Sequence, residues 1–294
     1  MRVCILGLHS PIGRHMAAAL AARNHQVIGT SRASRPREDL ASLVENYHSL
    51  HLGEAADPNW FSNVDAVVYL AHDHSRGATR RNVQGIQDWF HTASTAGANR
   101  HLFFTSYSSK AESRTDYGSI KFELESFFIS RQQWIVRPGL VTSAEGLFGR
   151  MLRMVQKLPM LPLLDGGRDP VPLVALESVS TAVITILEKS MAPGSWNLHH
   201  PPPLSMKELL VCMRRLTKSH CRFIPIPAAL PFALLRFTEL LGLRLPLSAD
   251  SIAAMKENRG IMRPSNLADL GIQDPPLKEQ VTRLIRKTSG EAAQ

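Results

Sequence analysis

Short β-type runs alternate with helix-length segments through about the first 140 residues, and this alternation restricts the fold more than any other feature of the chain. Val3–Leu6 is a β-type run that stops at Gly7, Arg14–Ala22 is strongly helix-prone, and His25–Gly29 reads as a second strand. The order then repeats. Strands are expected at Asp65–Ala71, His101–Ser106 and Gln133–Val136, with helices at Asn82–Ala96 and Tyr117–Ile129. A helix-length crossover returns the chain to run parallel to its predecessor, whereas a tight hairpin joins only antiparallel neighbours. Parallel sheets are covered on both faces. The expected fold class is therefore α/β, a doubly wound parallel sheet.

From about Leu140 the pattern loosens. A helix is expected at Gly149–Gln156, then a proline-rich link, a helix at Glu177–Lys189 and strand character in Ser195–Leu198. Prolines 201, 202 and 203 precede Ser205-x-x-Glu208, a capping box that announces a helix over Met206–Leu216. Phe223–Lys287 reads as helical and irregular. The division expected is 1–140 for the sheet and 141–294 for a helix-rich portion, some of which returns to the sheet.

Charge and cysteine content narrow the class. Lys and Arg number 34 against 25 Asp and Glu, a formal charge of +9, which suits an anionic ligand, a membrane surface or a nucleic acid and does not choose among them. The positive charge is spread along the chain and not gathered in a basic run interleaved with aromatics, so nucleic acid is not expected as a partner. Three cysteines, Cys4, Cys212 and Cys221, are too few and too scattered for a disulfide framework. The longest uncharged apolar stretch near the C-terminus, Phe223–Leu235, has 13 residues and three prolines, short of the roughly 20 of a membrane span. A cytoplasmic location is expected.

Three motifs carry chemistry. Gly7-Leu-His-Ser10-Pro11-Ile12-Gly13 joins the first strand to the first helix, where free amides at a helix N-terminus receive a phosphate. At the end of the second strand stand Ser31 and Arg32, with no carboxylate to hold ribose hydroxyls. A cation there favours the 2′-phosphate of NADP, with NAD the alternative. Tyr117-Gly-Ser-Ile-Lys121 places a phenol and an ammonium one helical turn apart on one face. An ammonium near a phenol is expected to lower its pKa, so that Tyr117 passes a proton to and from a substrate oxygen.

In series, these pieces resemble an extended or atypical short-chain dehydrogenase/reductase of the NAD-dependent epimerase/dehydratase family. The matching run is Gly7 to Gly13, Val67–Ala71, Asn82-Val-x-Gly85, Phe103–Ser106, Tyr117-x-x-x-Lys121, Val136–Gly139, Glu177–Val179 and Trp196–Leu198. The resemblance implies a Rossmann-type sheet and an NAD(P)-dependent enzyme acting on a small-molecule substrate. A nucleotide-linked sugar is the substrate class it points to. The cofactor-binding positions it implies are Gly7, Ser10, Pro11, Ile12, Gly13, Ser31, Arg32, Leu70, Ala71, Asn82, Lys121 and Pro138. Ser106 and Ser108 join Tyr117 and Lys121 as catalytic candidates, because Tyr107 stands in the usual serine slot. Gly53 likewise replaces an acid that touches adenine. Arg263-Pro264, before Leu270-Gly271, resembles the family's diphosphate contact. His72-Asp73-His74 and His199-His200 lack a third spaced ligand, so no metal is expected. Two alternatives stand beside this reading. One is a reductase of a small carbonyl or lipid-linked substrate, suggested by the apolar segment Pro225–Leu241. The other is a non-catalytic dinucleotide-binding accessory subunit. A homodimer is left open.

Overall fold

The computed structural model of the chain describes residues 1–227 and 263–288. Strands β1 (Arg2–Leu6), β2 (Gln26–Ser31), β3 (Asn46–Ser49), β4 (Ala66–Tyr69), β5 (Arg100–Phe104), β6 (Trp134–Pro138) and β11 (Gly194–Leu198) make one sheet. Their order is β11-β6-β5-β4-β1-β2-β3, and every neighbouring pair is parallel. The chain runs outward from β1 to β3, then crosses to β4 on the other side of β1. The strand order thus reverses between β1 and β4, and the crevice beyond their carboxyl ends is where such sheets bind ligands.

Side chains alternate along the strands to build two core layers. Val3 and Ile5 face helices α1 (Pro11–Ala21) and α6 (Leu176–Glu188), packing with Met16, Leu20, Val183 and Ile186. Cys4 and Leu6 face the other way, onto α3 (Thr79–Thr95) and α4 (Asp116–Ile129), with Trp89, Leu124 and Phe128. Short helix α2 (Glu38–Ala41) lies between β2 and β3.

Beyond β6 come β7 (Leu140–Thr142), α5 (Gly146–Lys157), β8 (Met160–Leu164), β9 (Pro170–Val171) and β10 (Leu173–Ala175). Then follow β12 (Leu204–Ser205), α7 (Met206–Leu216), β13 (Arg222–Ile226) and α8 (Leu277–Thr288). A third apolar cluster joins α5, β8, α7 and α8 through Phe148, Leu152, Leu163, Leu209, Met213 and Val281. The expected capping box forms at α7. Ser205 Oγ accepts from the Glu208 amide at 3.2 Å, and the Ser205 amide donates to Glu208 Oε2 at 2.7 Å.

Several expectations are corrected. The second strand runs on to Ser31, which fixes that side chain inside the sheet edge. Asn46–Ser49, too polar to signal itself, is the outermost strand. The proline-rich link after α5 contains β8, which pairs in parallel with β13, a segment expected to be helical or irregular. The rest of the apolar stretch, residues 228–241, lies outside the described residues. Among the described residues no helix is long and apolar enough to cross a membrane.

One buried polar network fixes the carboxyl edge of the sheet. Glu125 on α4 forms an ion pair with Arg137 on β6, the side chains 12% and 3% exposed. Glu125 Oε2 also accepts from Thr105 Oγ1 at 3.0 Å and Ser109 Oγ at 2.6 Å. Arg137 Nη1 donates to Asn197 Oδ1 at 2.6 Å. Asn197 in turn holds the returning chain, exchanging backbone and side-chain bonds with Asn266 and donating Nδ2 to the Pro264 carbonyl at 3.2 Å. Removing one member of a buried pair strands the other charge, at a cost of about 3–5 kcal/mol. Glu125→Ala is expected to lower unfolding free energy by about that amount in urea titrations. The double variant Glu125→Ala with Arg137→Met should recover most of the loss. A single-variant loss below about 1 kcal/mol would overturn the assignment, since that is the worth of an exposed pair.

Candidate active site

The turn after β1 is built for close approach. Gly7 sits at φ +103°, and a Cβ there would lie 2.8 Å from the Ala71 amide nitrogen at the end of β4. The Gly7 and Leu8 amides both donate to the Thr30 carbonyl, at 3.1 and 2.8 Å, while the Leu70 and Ala71 amides converge on the Leu6 carbonyl. The exits of β1, β2 and β4 are thereby held together as one floor. Ser10 caps α1, its Oγ accepting from the Gly13 amide at 3.0 Å, with Pro11 opening the helix. A Cβ at Gly13 would fall 2.7 Å from the Gly7 and Leu8 carbonyl oxygens. That glycine therefore protects the turn itself. Position 11 has no amide hydrogen, and the Gly13 and Arg14 amides are engaged. Among the described residues the Ile12 amide donates to nothing, which leaves it for an anion at the positive end of the helix. The cradle fits a dinucleotide pyrophosphate.

At the end of β2, the Ser31 hydroxyl is already engaged. It meets Tyr47 Oη at 2.7 Å and His9 Nδ1 at 3.1 Å, and accepts from the Ala33 amide at 3.1 Å. Ser31 shapes this edge from inside and is not a free phosphate donor. Arg32 is exposed, and among the described residues it has no ion-pair partner. Neighbouring cations are neutralised, Arg14 by Glu145 and Arg37 by Asp39. Asn82, 1% exposed, spends its amide on the loop after β4. Its Oδ1 accepts from the Asp73 amide and its Nδ2 donates to the Asp73 carbonyl, both at 2.8 Å. Asn82 therefore holds the floor from behind. Pro138 ends β6 half-buried, before a glycine whose Cβ would fall 2.4 Å from the Pro172 carbonyl oxygen.

Tyr117 and Lys121 sit on α4, capped by Thr115, whose Oγ1 accepts from the Gly118 amide. Of the two serine candidates, Ser106 is near enough to the Tyr117 phenol to pull its pKa down. Ser108 is buried, and its backbone packs against Gly118. Lys121, 4% exposed, donates Nζ to the Phe104 carbonyl at 2.8 Å, with the ammonium 5.8 Å from the Tyr117 ring centroid. Burial lowers the Lys121 pKa to about 8. The expected depression of the phenol pKa is not found. Burial pushes Tyr117 up, and Ser106 is the influence that opposes it. Tyr117 at rest is a neutral phenol, a proton donor first.

Two residues without a functional expectation join the site. His72 lies edge-on to Tyr117 with centroids 5.0 Å apart, and His74 stacks on it at 6.0 Å. Burial, helped by Lys121, lowers both imidazole pKa values, that of His72 to about 3. Both rings are neutral near pH 7. The available signal was their position just beyond the carboxyl end of a central strand, beside the topological switch. Among the described residues no three His, Cys, Asp or Glu side chains gather as a metal site. Across the site, Tyr107 packs against His199 at 5.9 Å. Arg263, whose carbonyl accepts from His199 Nε2 at 2.9 Å, acts electrostatically on Tyr107 and Arg137.

Comparison with known proteins agrees with this geometry. Residues 3–129 match the NAD dependent epimerase/dehydratase family. No curated protein matches the sequence. Among solved structures, a nucleoside-diphosphate-sugar epimerase from Pseudomonas aeruginosa superposes with TM-score 0.75 at 15% identity, covering 99% of this chain and 98% of that one. UDP-glucose 4-epimerase from Thermotoga maritima, solved with UDP-glucose, gives 0.71 at 15% identity over 98% and 100%. A Bordetella bronchiseptica enzyme in complex with NAD+ gives 0.69 at 14% identity over 98% of each chain. At these identities the likeness is one of fold. The match over residues 3–129 places that stretch in the NAD-dependent epimerase/dehydratase family, and the sheet order and glycine turn agree with it.

Proposed function

We propose that this enzyme uses NADP to oxidise and reduce a carbon of a nucleotide-linked sugar, with Tyr117 as the acid/base. Residues 1–140 hold the dinucleotide, and residues 141–294 supply most of the substrate side. The observation that carries the reading is the Tyr117 phenol at the carboxyl edge of the sheet, one helical turn from Lys121, whose ammonium lies 5.8 Å from its ring, with Ser106 beside it and His72 and His74 packed against it. When bound, the dinucleotide supplies the hydride acceptor and donor. Tyr117 gives its proton to a substrate oxygen, or takes one from it, and Ser106 orients both the phenol and that oxygen. Lys121 braces the end of β5 through Phe104 and supplies the nearby positive charge that favours a phenolate once the proton has left. His72 and His74 shield the faces of the phenol from water. Arg263 contacts the substrate from the C-terminal part.

The Ile12 amide at the N-terminus of α1 receives the pyrophosphate, and Arg32 receives the 2′-phosphate. Gly13→Ala places a methyl group against two carbonyl oxygens, and calorimetry should find dinucleotide affinity lost. A charge-assisted contact is worth about 1.5–3 kcal/mol, or roughly 10- to 150-fold in affinity. Arg32→Ala should erase a preference for NADP over NAD of that size. A native protein that already prefers NAD would overturn the cofactor assignment.

The reaction is tested by screening nucleotide-sugars for absorbance change at the reduced-nicotinamide band. Once a substrate is found, Tyr117→Phe should cut turnover by roughly 10²–10⁴, with cofactor affinity within a few-fold of native. Ser106→Ala should cost far more activity than Ser108→Ala. Native-like turnover in Tyr117→Phe would sink the catalytic reading and favour a bound-dinucleotide structural role.

A further inference from the structure

Strands β8 and β13 form a parallel pair outside the main sheet, with Arg222 beside Met160, Ile224 beside Pro162 and Ile226 beside Leu164. Alternate residues of a strand point to opposite faces. Leu161 and Leu163 turn inward, 5% and 3% exposed, and belong to the third apolar cluster with Phe148, Leu209 and Met213. The outward set is Met160, Pro162 and Leu164 with Arg222, Ile224 and Ile226, so every member but the arginine is apolar as well. Met160 is 55% exposed and Ile224 43%, and Leu158, which leads into β8, is 41% exposed. A sheet with one wet face turns polar side chains outward, and parallel strands are normally covered on both faces. This pair has an apolar outer face that the described residues leave open.

The charge around this face has one sign. Residues 146–164, from α5 through β8, and residues 209–227, from α7 through β13, contain seven Lys and Arg and no Asp or Glu. Three of these cations gather at the amino ends of the two strands. Lys157 ends α5, three residues before Met160, and Arg222 stands in register with Met160. Lys218 precedes Ser219, whose Oγ donates to the Val155 carbonyl at 2.5 Å. All three are exposed, and none has an ion-pair partner among the described residues. A second copy of this chain would bring the same cations against these, because a two-fold interface joins a patch to itself, and like charges repel. An anionic bilayer answers both features at once. Its headgroups attract the cations, and its acyl boundary accepts the apolar side chains.

We propose that the outer face of β8 and β13 is a docking surface for an anionic lipid bilayer, with Leu158, Met160 and Ile224 entering the headgroup boundary and Lys157, Lys218 and Arg222 meeting acidic headgroups. The contact is peripheral, since no helix among the described residues is long and apolar enough to span. It uses none of the residues assigned to the dinucleotide or to the Tyr117 site, so it stands apart from the nucleotide-sugar reading.

The test is co-sedimentation of the full chain with vesicles of phosphatidylcholine alone and of phosphatidylcholine mixed with phosphatidylglycerol. The chain should bind the anionic vesicles and leave the neutral ones, and added salt should release it by screening the headgroups. Lys157→Gln with Arg222→Gln should weaken binding roughly 30-fold, the usual worth of two cations near such a surface. Met160→Ser with Ile224→Ser should weaken it at least about tenfold through lost apolar burial. All four positions are exposed, so both double variants should keep their Tm within a few degrees of native. Either double variant decides the matter alone, so one that fails to fold leaves the other to do so. Absence of binding to anionic vesicles, or equal binding to both kinds, would overturn the proposal. So would anionic binding that a folded double variant leaves unchanged. A dimer seen by analytical ultracentrifugation and dissociated by Met160→Ser with Ile224→Ser would assign the face to a second copy instead.

Discussion

Glu125 is the acceptor around which the carboxyl edge of the sheet is organised. Its carboxylate gathers Arg137 from β6, and Thr105 and Ser109 from either side of Ser106 and Tyr107. The backbone path that presents those two site residues is thus pinned at both ends by one buried side chain. Arg137 extends the same network to Asn197, and Asn197 extends it to Pro264 and Asn266. Arg263 is therefore brought to the cleft by a chain of polar contacts that begins on the helix carrying Tyr117 and Lys121. Buried ion pairs are weak devices for stability, but breaking one strands a buried charge, which penalises any arrangement that separates Glu125 from Arg137.

Local signals in the sequence carried the half of the molecule whose order is local. The crossovers, the glycine turn after β1, and the Ser205–Glu208 cap that starts α7 all depend on residues within one turn of each other. The pairing of β8 with β13 does not. Met160–Leu164 and Arg222–Ile226 are some 60 residues apart and each contains a proline, which argues against a central strand but is tolerated in an isolated two-stranded pair. The same limit applied at the site. Spacing put Tyr117 and Lys121 on one face, but only the path of the chain after β5 brings Ser106 beside the phenol. His72 and His74 reach Tyr117 across more than 40 residues, a juxtaposition no spacing rule encodes.

The electrostatics departed from expectation for a related reason. Tyr-x-x-x-Lys spacing predicts proximity, and proximity alone would lower the phenol pKa. In the folded chain, however, Lys121 is itself desolvated and spends its ammonium on the Phe104 carbonyl. Burial then raises Tyr117, because a phenolate in dry surroundings loses more hydration than a nearby cation returns. A resting neutral phenol with neutral imidazoles on its faces suits proton donation to a carbonyl oxygen, and it needs added positive charge before it acts as a base.

Unsatisfied polarity in the described residues is concentrated where ligands would sit. The buried side-chain atoms without partners are His9 Nε2, Tyr107 Oη, Arg137 Nε and Trp196 Nε1. His9 belongs to the glycine turn, Tyr107 follows β5, and Arg137 is the penultimate residue of β6. A fold selected for stability alone would pair or remove such groups, since each orphan carries its full desolvation cost. Elsewhere this chain pairs its buried polar groups carefully, as Asn82 and Glu125 do. Three of the four unpaired atoms lie at or beside the carboxyl ends of β1, β5 and β6, and the fourth, Trp196 Nε1, lies within β11. That contrast supports the proposal that the chemistry lies at the carboxyl ends of β1, β5 and β6.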